Sequence, residues 1–115
     1  MATLAKVYDG TLELLGVLSL GKTIQAKDLA RMVRAYDQVF AELKDTGLDS
    51  WASAGPVPDK FVTHVEALMA YNSADTYSVS NARYQRIASK ESRAKREIRR
   101  LSITDYESLD EPVDY

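Results

Sequence analysis

The chain has 115 residues, enough for one domain and too few for two ordinary ones. Its 45% apolar and 28% charged residues describe a chain that folds around a core, which sets aside a disordered polymer. It has no cysteine and one histidine, His64, so disulfides, thiolate metal sites, cysteine nucleophiles and two-histidine metal centres are set aside, and no cofactor or metal is expected.

No apolar run approaches the ~18 residues of a membrane span, and the first residues lack the basic-then-apolar pattern of an export signal. The expectation is therefore no membrane partner. The net charge of −2 conceals three blocks. Residues 1–82 carry seven basic and ten acidic residues. Residues 83–100 carry eight basic residues against Glu91 and Glu97. Residues 101–115 carry five acids and no base. Blocks of this kind mark surfaces that meet other charged surfaces.

In chain order, Leu4, Val7, Leu14 and Leu18 recur at helical spacing, with Tyr8, Leu12 and Leu15 beside them, and predict a first helix over about residues 3–18. Gly10 is a candidate for an early break, because glycine costs about 1 kcal/mol inside a helix. Residues 19–22, with Gly21 among them, predict a turn. Leu29, Val33, Tyr36, Phe40 and Leu43, flanked by Met32 and Val39, predict a second helix over 25–46 that stops at Gly47. Residues 47–58 are rich in turn formers. Trp51 within them is too costly to leave in water, and is expected to anchor the loop by plugging a gap in the core or in a partner.

Pro58 and Asp59 open a third helix whose buried face is Phe61, Val62, Val65, Leu68 and Met69. Small and polar residues over 73–80 form a turn. A fourth helix is expected over 81–101, with a narrow seam of Tyr84, Ile87, Glu91, Ala94, Ile98 and Leu101. A second stripe runs beside that seam: Arg83, Arg86, Lys90, Arg93, Glu97 and Arg100. Nothing alternates with period two for long enough to require a strand. The expected fold is all-α, a small bundle of four helices over residues 1–101, followed by an extended acidic C-terminal arm over 102–115 with Ile103, Tyr106, Leu109, Val113 and Tyr115 as apolar anchors.

Residues 16–23 formally match the phosphate-loop pattern G-x-x-x-x-G-K-[ST]. That loop needs small residues whose N–H groups curl around phosphates between a strand and a helix. Here Val17, Leu18 and Leu20 are bulky, and the first two extend the preceding helical face. A helix end followed by a turn is the reading. A lone histidine, the absence of a nucleophile-elbow spacing, and acids scattered on solvated faces give no catalytic constellation. No enzyme is expected.

The stripe is open to three readings: a solvated face, a nucleic-acid surface, or a surface for acidic residues of another copy of the chain. The acidic segment after residue 100 and the scarcity of interleaved aromatics weigh against nucleic acid. Interface residues are placed at Arg83, Arg86, Lys90, Arg93, Arg96 and Arg100 on the helix, and Tyr106, Leu109, Val113 and Tyr115 on the arm.

The order of elements resembles the head-to-tail adaptor (head-completion or connector) proteins of tailed bacteriophages. The matching stretches are LELLGVL at 12–18, DLARMVRAYDQVFAELKDTGL at 28–48 and VPDKFVTHVEALMAYNSADTY at 57–77, with the basic helix and its tail in place of that family's last helix and arm. Leu43 stands near where the family often carries an aromatic. The resemblance implies a non-enzymatic virion protein of the head–tail junction, present in the host cytoplasm during assembly. It would form a homo-oligomeric ring, commonly of twelve copies, under the portal protein. The ring would extend the DNA channel, with possible non-specific contact to the DNA, and would dock a tail nozzle, hub or stopper protein. The alternative is a small helical nucleic-acid-binding or regulatory protein using the basic helix 83–100.

Overall fold

A computed structural model describes residues 1–18, 23–48 and 51–109, with side chains described as far as Ser102. It consists of four helices: α1 (Leu4–Leu15), α2 (Ala26–Asp45), α3 (Asp59–Ser73) and α4 (Asn81–Leu109). The extended pairing among the described residues is a single antiparallel bridge, in which Ala2 and Val57 exchange backbone bonds of 2.8 and 2.9 Å and tie the N-terminus to the start of α3.

Helix α1 begins where the Thr3 hydroxyl accepts the Lys6 N–H at 3.4 Å, and it ends at Gly16, whose left-handed φ of 78° suits a residue without Cβ. The end falls before Leu18, and the helix passes through Gly10 unbroken. Val7, Tyr8, Leu12 and Leu15 form its core face, with Thr11 buried among them because its hydroxyl donates to the Val7 carbonyl at 2.8 Å.

The bounds of α2 follow the expectation closely, and Gly47 takes a left-handed conformation just beyond it. Its buried face differs. Met32, Ala35, Tyr36, Val39 and Leu43 are buried, whereas Leu29 and Val33 are about 40% exposed and Phe40 is partly covered. The seam starts one residue earlier than the large apolar residues suggest, and it includes the buried Asp28. The Tyr77 hydroxyl donates to the Asp28 carboxylate at 2.8 Å, and Arg31 stands 3.9 Å away. Those partners offset the desolvation of the carboxylate, so this face can enter the core.

Helix α3 buries Phe61, Val65, Leu68 and Met69 as expected but leaves Val62, expected on the same face, only partly covered; Ala67 and Ala70 permit close approach of its neighbours. It is the centre of the bundle: α1, α2 and α4 all pack on it, and α4 most extensively. The α4 seam is buried in the expected register at Ile87, Glu91, Ala94 and Ile98, whereas its outer members differ from expectation: Tyr84 is exposed, and Leu101 is only partly covered. Glu91 is accommodated by an ion pair of 2.7 Å with Lys95, one turn on.

The backbone of α4 continues through residues 102–109, where an extended arm is expected from the sequence. No glycine or proline stands between Asn81 and Glu111, so the nucleated helix meets no breaker until Pro112 restricts its predecessor. Tyr106 and Leu109 are therefore helical positions. Val113 and Tyr115 lie outside the described residues.

Trp51, partly buried, packs against the protein's own core. Its ring meets Phe61 at 5.1 Å and Phe40 at 5.9 Å between centroids, and its indole N–H donates to the Tyr36 hydroxyl at 3.0 Å. One aromatic side chain thus pins the 51–58 loop to α2 and α3.

Candidate functional site

Helix α4 directs its seam at α3 and carries its basic stripe on one flank, where Lys90 and Arg93 border a groove shared with α1 and α3. At 100° per residue, Arg86, Lys90, Arg93 and Arg96 fall within one side of the helix, and all four are exposed. None of the four has an ion-pair or hydrogen-bond partner among the described residues. Like charges three or four residues apart repel weakly, so this face is held together by the seam behind it and not by its own side chains.

The two outer members of the stripe are engaged. The Arg83 guanidinium turns inward and donates to the Leu14 carbonyl at 3.1 Å, serving the orphan acceptors at the end of α1. Arg100 clamps the Glu97 carboxylate with two bonds of 3.0 and 2.8 Å. That clamp, helped by nearby Arg93 and His64, holds the Glu97 carboxyl below the usual carboxylate range. The structure thus groups Arg86, Lys90, Arg93 and Arg96 as available cations, and gives Arg83 a role within the fold.

No family model matches the sequence, and neither does any curated protein or solved structure.

Beside the stripe runs a groove of about 860 Å³ between α1, α3 and α4. Lys90 and Arg93 line one wall; Glu13, His64 and Glu66 line the others. The Glu66 carboxyl lies over Gly10, in the space a side chain there would occupy. Burial, and secondarily the Glu13 charge, push the Glu66 carboxyl up to about 7. Burial pulls His64 below its ordinary value, opposed by Glu97 and assisted by Arg93 and Arg100. The sequence offers no signal for Glu66 beyond the glycine facing it, because nothing local joins positions 10 and 66.

The formal phosphate-loop match has its first glycine at the end of a helix, not after a strand. Lys22 lies outside the described residues. Among the described residues no cluster of three or more His, Asp or Glu side chains could hold a metal ion, and no helix is long and apolar enough to cross a membrane.

Proposed function

We propose that the chain is a structural head-to-tail adaptor of a tailed bacteriophage. In this reading copies form a ring, commonly of twelve, beneath the portal protein, extend the DNA channel and present a surface to a nozzle, hub or stopper protein of the tail. It acts in the virion at the head–tail junction, without catalysis or cofactor. The observation that carries the reading is the row of available cations on α4, borne by a small all-α protomer whose element order resembles that family. A surface of one sign on one element suits a heterologous contact, in which one patch meets a different patch of the neighbour and the rotation closes a ring.

The same four cations support a second reading, a small helical protein that binds nucleic acid or regulates it. Phosphate contacts would make such binding fall steeply with salt. Against it, the acids beyond residue 100 repel a polyanion, and no aromatic side chain interleaves with Arg86, Lys90, Arg93 and Arg96 for base stacking. Binding to a purified portal ring, measured beside binding to duplex DNA at low and high salt, separates the two. Portal binding at moderate salt is expected. Tight, salt-steep DNA binding without portal binding would establish the second reading.

A further inference from the structure

The available cations of α4 have an anionic counterpart in the chain itself. Asp110, Glu111 and Asp114 follow the helix with no basic residue near them. Arg86 and Arg96 are ten residues apart, a rise of about 15 Å along the helix. Asp110 and Asp114 are four residues apart, about 13–14 Å when extended. The two rows therefore match in sign and in length.

Geometry prevents a chain from laying its own segment along the whole Arg86–Arg96 face. Helix α4 runs to Leu109. Lys90 is nineteen residues before that end, about 28 Å away along the axis, and Arg86 about 35 Å. Asp114 is five residues beyond Leu109 and can extend at most ~18 Å from it. Folding back, it falls short of both and draws level only with the Arg96 end of the face, thirteen residues or about 20 Å before Leu109. Asp105 and Glu107 are helical positions nine or more residues past Arg96, beyond the i+3 and i+4 spacing of helical pairs. Arg93 senses Glu97, but that carboxylate is already clamped by Arg100.

We propose that residues 110–114 of one copy lie along the Arg86, Lys90, Arg93 and Arg96 face of α4 in a second copy. This rests on the assembly reading above and names the contact that joins neighbouring copies. The segment and the face are different patches of the chain, so in the assembly proposed above the contact passes from copy to copy around a closed ring. Both partners are exposed and charged, so the contact weakens as salt is added.

The test uses the full chain and a fluorescein-labelled peptide of residues 104–115, followed by fluorescence anisotropy. Binding is expected, weakened at least tenfold by Lys90→Glu with Arg93→Glu in the protein and lost at high salt. Because reversal of two charges can disturb folding, a peptide carrying Asp110→Asn, Glu111→Gln and Asp114→Asn is titrated against the unaltered chain and is expected to bind at least tenfold more weakly. No binding, or equal binding of both peptides, overturns the proposal. So does duplex DNA that occupies the face and is not displaced by the peptide. If the peptide fails while the chain still docks on a portal ring, the strap falls and the adaptor reading stands. If the peptide binds and portal docking fails, the reverse holds.

Discussion

The carboxyl of Glu66 on α3 occupies the space that a side chain at Gly10 on α1 would fill. The glycine is therefore a seat for an acid and not a helix break. Alanine at position 10 would displace the end of a flexible side chain, which can swing out to water, while improving helix propensity by about 1 kcal/mol. Gly10→Ala is expected to raise stability at pH 8 by about 1 kcal/mol. It should also return the Glu66 titration toward the ordinary carboxylate range. Urea unfolding with a carboxyl-carbon NMR titration measures both. A loss of stability would mean that Glu66 is locked in place.

The same acid gives stability a pH dependence of defined sign. Between the ordinary value of 4.5 and about 7, the folded chain keeps a proton on Glu66 that the unfolded chain has lost. Its contribution is complete below pH 4.5 and is lost as pH rises to about 7. Glu66 is only half-buried, so solvent screening reduces the full linkage value of roughly 3 kcal/mol to about 1 kcal/mol. His64 works in the opposite direction, because its lowered value makes stability rise with pH below 6.5. Comparing Glu66→Gln with the parent isolates the acid. The midpoint difference between pH 5 and pH 8 should shrink in the variant, and identical slopes would refute the assignment.

The helices and most of the core were legible because their period is local. Met32, Tyr36, Val39 and Leu43 recur within one segment, as do Ile87, Ala94 and Ile98. Misreadings arose where a distant residue alters the cost of burial. Leu29 and Val33 look like core until Tyr77 makes Asp28 buriable and turns α2 toward it. An extended arm over 102–109 overlooks the three-residue steps of Ile103, Tyr106 and Leu109, which continue the helix where no breaker interrupts it. For the candidate site, Arg86, Lys90 and Arg93 are legible in the stripe, and Arg96 lies beside it. That Arg83 is engaged depends on α1 ending beside it, a relation 69 positions apart in sequence.

The hydrogen bond between Trp51 and Tyr36 separates packing from polarity in the loop anchor. Tyr36→Phe keeps the ring but leaves the indole N–H without its acceptor, and is expected to cost about 1 kcal/mol. Trp51→Ala removes the whole aromatic contact to Phe40 and Phe61 and should cost about 3 kcal/mol or more. Trp51 is the chain's sole tryptophan, so its fluorescence follows unfolding of the Tyr36→Phe variant directly. Circular dichroism in urea serves for Trp51→Ala. Equal losses in the two variants would show that the hydrogen bond, not the packing, holds the loop.

Arg83 and Arg93 lie on one stripe, yet they should fail in different experiments. Removing the Arg83 guanidinium leaves the Leu14 carbonyl without its donor at the end of α1, so Arg83→Ala is expected to lower stability by about 1–2 kcal/mol. Self-association of that variant should remain at the parental level under conditions where it is folded. Arg93 is exposed and makes no bond of that kind, and Arg93→Ala should change stability by no more than about 0.5 kcal/mol while weakening self-association. Urea unfolding and sedimentation velocity on both variants supply the comparison. If Arg83→Ala lost association while remaining fully stable, the stripe would act as one undivided surface, and the inward role of Arg83 would be wrong.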